Sequence, residues 1–152
     1  MKLKNYLEKH NNWYEFFINK HFQVSITKWE YIDDETYERK YKYIIEYNSY
    51  DIACCDDEFD YEIRGIKLTG EETLSQVKKM IKNYFKQTKK VSDTKVIKSC
   101  YNEFNYDEYS MTMKNTKDFV NAMKKEFGIG NDFLFNEMGV YGLTQCAMYL
   151  GY

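Results

Sequence analysis

Leu3, Leu7, His10, Tyr14 and Phe17 recur at helical spacing, so the chain opens on a predicted helix, with Tyr6 and Trp13 flanking the stripe. The period then changes. Phe22, Val24 and Ile26 alternate with Gln23, Ser25 and Thr27, which predicts a half-buried strand running on through Trp29 and Tyr31. Asp33-Asp34-Glu35 reads as a polar turn. A second strand follows, with Tyr37, Arg39, Tyr41, Tyr43, Ile45 and Tyr47 on one face. These two strands form a predicted hairpin. Asn48-Ser49 is a further turn signal, Tyr50 to Cys55 a third strand, and Asp56-Asp57-Glu58-Phe59-Asp60 an exposed turn. Tyr61 to Leu68 is a fourth strand with Gly65 as its bulge. Connections this short predict an antiparallel meander.

Helical spacing returns after Leu68. Thr69-Gly70-Glu71-Glu72 fits a capping box, with Thr69 as N-cap and Glu72 reaching back. Leu74, Val77, Ile81 and Tyr84 or Phe85 continue as an apolar stripe that Met80 widens, fading near Gln87-Thr88. Val96, Ile97, Cys100 and Phe104 suit either a helix or a strand. Tyr109, Met111 and Met113 alternate as a short strand. Asn115-Thr116 caps a predicted helix through Phe119, Val120, Met123 and Phe127, ending at Gly128. Short helices are expected near Phe133 to Met138, started by Asn131 or Asp132, and over Thr144 to Leu150. The order predicts an α+β fold: a small antiparallel sheet of three to five strands with N-terminal, central and C-terminal helices, in one domain over residues 1–152.

Composition narrows the class. Apolar residues make up 43% and charged residues 30% of the chain, a globular balance. No stretch approaches the roughly 20 apolar residues of a membrane span. The start, Met1 to His10, lacks an apolar signal-peptide region, so a cytoplasmic location in a bacterial host and no membrane partner are expected. Proline is absent, while 16 Tyr and 10 Phe accompany many Lys and Asn, as A/T-rich coding in a low-GC bacterium or its phage would produce. Cys54, Cys55, Cys100 and Cys146 lack metal-knuckle spacing and read as free thiols.

Motifs for chemistry are lacking. His10 and His21 are the only histidines, and neither sits in a nucleophile signature. Gly128-Ile129-Gly130 has no third glycine and follows a helix, so it reads as a helix-ending turn rather than a phosphate cradle. Asp56, Glu58, Asp60 and Glu62 imitate the start of a calcium loop. The match fails at Tyr61, where glycine is required, and at Lys67, where the bidentate Glu belongs. Glu71-Glu72 suits a helix N-terminus. No catalytic residue, metal or cofactor is predicted, and the chain is not expected to be an enzyme.

Charge changes the picture most. Residues 30–62 carry a net charge of −9 and residues 63–100 a net +7, within a total of −2. The acidic part interleaves carboxylates with Trp29, Tyr31, Tyr37, Tyr41, Tyr43, Tyr47, Tyr50, Phe59 and Tyr61. Tyrosine beside carboxylates suits recognition of a basic groove, such as the one that holds nucleic acid in an enzyme. In small size, low-GC composition, lack of catalytic motifs and acidic segments, the chain resembles the small phage-encoded inhibitors of bacterial defence, the anti-CRISPR proteins. Those proteins share no common sequence pattern, so the resemblance carries over no residue. It implies a protein-binding inhibitor of a nucleic-acid-processing bacterial enzyme, for example a CRISPR-Cas nuclease. The expected partner-binding residues are Asp33, Asp34, Glu35, Tyr37, Asp56, Asp57, Glu58, Phe59, Asp60 and Glu62. An immunity protein or antitoxin against a toxic nuclease is physically almost the same reading. A nucleic-acid-binding accessory protein using Lys78, Lys79, Lys82, Lys86, Lys89 and Lys90 is the opposite one. Arg64 is the only arginine of the basic segment, which disfavours base reading by bidentate contacts.

Overall fold

Asn11 and Asn12 both take left-handed backbone angles, φ 61° and 64°, and they divide the predicted N-terminal helix in two. Asparagine tolerates that region better than other side-chain-bearing residues. Before the pair lies α1 (Leu3–Lys9); after it, Trp13–Phe17 forms β1 instead of a second helical turn. The computed structural model describes residues 1–52 and 59–152. Cys54, Cys55, Asp56, Asp57 and Glu58, and so the second half of the predicted third strand, lie outside the described residues, while Tyr50, Asp51 and Ile52 form a turn rather than a strand.

Strands β2 (Gln23–Ile32) and β3 (Arg39–Ser49) realise the predicted hairpin, and β4 (Phe59–Glu62) follows. The four pair antiparallel in the order β1-β2-β3-β4. Only the first residues of the predicted strand Tyr61–Leu68 belong to β4, and Gly65 is not a bulge within it.

Helix α2 (Leu74–Lys86) starts four residues later than the predicted box allows. Its capping box is Thr73/Gln76: Gln76 N–H donates to Thr73 Oγ1 (3.2 Å) and Thr73 N–H to Gln76 Oε1 (2.9 Å). Glu72 does reach back, accepting from Thr69 N–H and Gly70 N–H (3.0 and 2.9 Å), but it braces the loop ahead of the helix. Met80 lies on the exposed side. The ambiguous segment forms α3 (Asp93–Tyr106), capped by Ser92, with Val96, Cys100 and Phe104 buried four residues apart. No strand forms at Tyr109 to Met113. Thr112 Oγ1 instead accepts from Asn115 N–H (3.1 Å) and caps α4 (Met113–Ala122). A π-helical turn, Met123–Phe127, continues α4 and ends at Gly128, φ 65°. Helices α5 (Asn131–Asn136) and α6 (Val140–Leu150) complete the chain. The fold is α+β, and among the described residues no helix is long and apolar enough to cross a membrane.

The helices pack on one face of the sheet. Inward-facing Val24, Ile26, Ile45, Tyr47 and Phe59 join Val77, Ile81, Phe85, Phe127 and Phe133 in one core. Rings fill its centre: Phe22 lies 5.4 Å from Phe85, and Phe85 4.1 Å from Phe133. Lys28 marks where that core ends. Its side chain is buried, its ammonium 2.5 Å from Glu8 Oε1 and 4.0 Å from the Tyr41 ring centroid. Beyond it on the same face, Glu30 and Ile32 are exposed.

Candidate functional site

Five pairs, Lys28–Tyr43 through Ile32–Arg39, extend past the end of β1. Strand β4 ends opposite Glu46, so this distal part of the hairpin is a two-stranded ribbon with both long edges free of neighbouring strands. Its tip is residues 33–38. Asp33 folds the tip: Oδ1 accepts from Glu35 N–H and Thr36 N–H (2.9 and 3.0 Å), and Oδ2 accepts from Lys40 Nζ (2.8 Å). Those bonds, that of Lys40 foremost, hold its carboxyl well below the usual carboxylate range. Asp34 and Glu35 project into solvent. Tyr37 sits at φ 58° and is 83% exposed. A tyrosine in left-handed backbone strains the turn, which is the kind of feature found at functional sites.

The sheet's outer face is the second feature. Direct pairing sets Glu15, Ser25, Glu46 and Glu62 in one row and Phe17, Gln23, Asn48 and Asp60 in the next. Four carboxylates thus share that face. Burial, then the charge and hydrogen bond of Asp60 and the charge of Glu62, pushes the Glu46 carboxyl above its ordinary value. No three such groups among the described residues are arranged as metal ligands. The same face carries exposed Trp13, Phe17 and Trp29, with Lys42 Nζ 4.4 Å from the Trp29 ring.

The predicted acidic site is therefore not one surface. Asp33, Asp34, Glu35 and Tyr37 occupy the ribbon tip, while Asp60 and Glu62 lie at the other end of the sheet. Arg39 and Asn48 are nine residue steps apart along β3, about 30 Å of strand. Phe59 is corrected outright. Alternation in β4 sends Phe59 and Tyr61 inward and Asp60 and Glu62 outward, so Phe59 is 1% exposed and belongs to the core. Asp56, Asp57 and Glu58 lie outside the described residues. Sequence reasoning missed Glu15, Glu46, Trp13 and Phe17. Helical spacing absorbed three of them, although the β-prone run Trp13-Tyr14-Glu15-Phe16-Phe17 carried the signal.

Among the described residues, internal pairing with α2 does not explain the charge separation. The described ion pairs include Lys2–Glu71, Lys28–Glu8, Lys40–Asp33 and Lys124–Asp93, and none joins a carboxylate of residues 30–62 to a lysine of α2.

His21 is buried, and both ring nitrogens face carboxylates: Nδ1 to Asp51 Oδ2 at 2.6 Å, Nε2 to Glu126 Oε1 at 3.1 Å. The cluster ties the start of β2 to the π-helical turn. Cys100 is buried in α3, which pushes its thiol up to about 12. For Asp51, burial raises the pKa, but the bonds from Ser49 and His21 outweigh it and hold the group low. The His21 bond and Lys20 hold Glu126 low. Carboxyls depressed in the folded state stabilise it above their unfolded values, and that stability drains as pH falls through the folded ones. Thermal unfolding from pH 7 to pH 3 should therefore show Tm falling from roughly pH 4.5 downward. The drop should be smaller in Asp51→Asn; an equal drop in both would deny the cluster this role.

Comparison with protein-family models, curated proteins and solved structures finds no match.

Proposed function

We propose that the protein is a binding inhibitor, encoded by a phage or mobile element, of a bacterial nucleic-acid-processing enzyme such as a CRISPR-Cas nuclease. In this reading the tip of the β2–β3 ribbon enters the enzyme's basic nucleic-acid groove. The observation that supports it is the free ribbon itself: a narrow two-stranded arm ending in Asp34, Glu35, the exposed Tyr37 and Glu38. A ribbon is slim enough to enter a groove, its carboxylates steer it toward lysines and arginines, and the tyrosine supplies contact area at low entropy cost. Carboxylates at the far end of the sheet, Glu46, Asp60 and Glu62, lie too far away for the same contact.

Asp34→Lys with Glu35→Lys tests this. Neither side chain folds the turn, so stability should change by less than about 0.5 kcal/mol. Tagged protein should capture its nuclease from a panel of purified Cas nucleases and block DNA cleavage. The double variant should bind at least about tenfold more slowly at low salt. Cleavage unaffected by the wild-type protein across the panel, or inhibition equal in both proteins, would reject the reading.

A further inference from the structure

We infer a second binding surface, along α2 and the β1 edge, that takes single-stranded nucleic acid. It goes beyond the inhibitor reading and uses none of the ribbon's residues. Helix α2 buries Val77, Ile81 and Phe85. Lys78, Lys82 and Lys86 each follow one of these, so they form a second row, rotated about 100° from the buried one and spaced about 6 Å apart. Lys79 and Lys89 widen the row. Two surface depressions that share Asn83 and Lys86 run along it without a break from Ser75 to Lys89. Among the described residues Lys79, Lys82, Lys86 and Lys89 make no ion pair, so their charge is free for an external anion.

A lysine row alone would suit any polyanion. Its neighbour is what selects a nucleic acid. Lys78 Nζ lies 5.4 Å from the Tyr14 ring and 5.7 Å from that of Phe16, which sets the row against β1. There a depression is lined by Tyr6, His10, Trp13, Tyr14 and Phe17. Trp13 is 51% and Phe17 64% exposed; both stand on the sheet's outer face, across the β1 edge from Lys78, so a bound strand passes over that edge to reach them. Glu15 also borders it, with its carboxylate held by the Gln23 amide at 2.8 Å. A cationic groove that follows a sugar-phosphate chain, beside exposed rings on which unpaired bases can stack, is the chemistry by which proteins hold single strands. Paired bases hide their faces, and the basic segment has one arginine for reading base edges, so duplex recognition fits less well.

Fluorescence anisotropy with labelled dT12, rU12 and a 12-base-pair duplex tests this on the intact protein. Four phosphate contacts predict single-strand affinity falling about fifty-fold between 50 and 200 mM salt. Lys79, Lys82 and Lys86→Gln keeps helix propensity and should lower the salt slope by about 2. In Trp29→Phe, Trp13 is the one tryptophan left, and its emission should be quenched at saturating dT12 or rU12. Binding to either single strand with these signatures supports the inference, and the preferred sugar identifies the natural strand. It is overturned by no binding at 50 mM salt, by a triple variant that binds like the wild type, by tighter binding of the duplex, or by unchanged Trp13 emission. Failure here leaves the ribbon reading standing, because Asp34 and Glu35 take no part.

Discussion

Phe85→Ala is expected to remove about 3–5 kcal/mol from the stability of the fold, the range for truncating a buried phenylalanine. Phe85 is fully buried on α2 and meets Phe133 at 4.1 Å, Phe22 at 5.4 Å and Tyr47 at 6.4 Å. These neighbours come from α5, from the residue before β2, and from β3. The ring therefore joins the sheet to two helices, and rings already wedged against others collapse poorly into the space it leaves. Domains of this kind hold only about 5–15 kcal/mol in total. Urea unfolding should show a lower midpoint with an unchanged slope. A loss under about 1 kcal/mol would mean that the aromatic cluster repacks freely.

Gly130→Ala should be the next most damaging single change. The C-terminal carbonyls of α2 lack partners within their own helix, as do the first N–H groups of α5. The two ends meet: Gly130 N–H donates to Phe85 O (2.8 Å) and Asp132 N–H to Gln87 O (3.0 Å). That approach leaves no room for a side chain. A Cβ on Gly130 would stand 2.3 Å from Gln87 O and 2.5 Å from Lys86 O, both backbone atoms that cannot swing aside. The expected cost is about 1–3 kcal/mol, read as a Tm drop of about 2–4 °C per kcal/mol at this chain length. Gly139 supplies the control. It also caps a helix, α6, but a Cβ there meets nothing within 4 Å. Both changes share the loss of a glycine cap, so the difference between the two variants measures the collision alone. Equal Tm values would show that the α2–α5 junction moves apart easily.

The hairpin and the helices around Leu74–Phe85 and Phe119–Phe127 were legible because each buries one clean stripe, with period two or 3.6. Errors arose where a local signal fitted two structures. Leu3 to Phe17 keeps helical spacing across Asn11-Asn12, and only the backbone of those two asparagines decides that a strand begins at Trp13. Thr69 and Thr73 both precede a suitable partner at the right interval, and the left-handed backbone of Gly70, φ 85°, keeps the helix from starting after the first. Tyr109, Met111 and Met113 alternate, but Thr112 between them satisfies the first N–H groups of α4. Charge segregation was legible as a sum over residues, whereas its placement was not. Whether Asp33 and Asp60 share a surface depends on how far β3 runs, and whether Phe59 is exposed depends on the parity of β4. Neither follows from composition.

The ribbon has a consequence for how such a chain can diverge. Because Lys28 closes the core and the residues beyond it touch little else, reach is set there by length alone. Losing two residues from each strand would keep every remaining side chain on its present face, while losing one from each would turn Trp29, Tyr31 and Lys42 over. Lineages descended from this fold should therefore differ in arm length by even steps per strand, and an odd step should appear only with a compensating bulge.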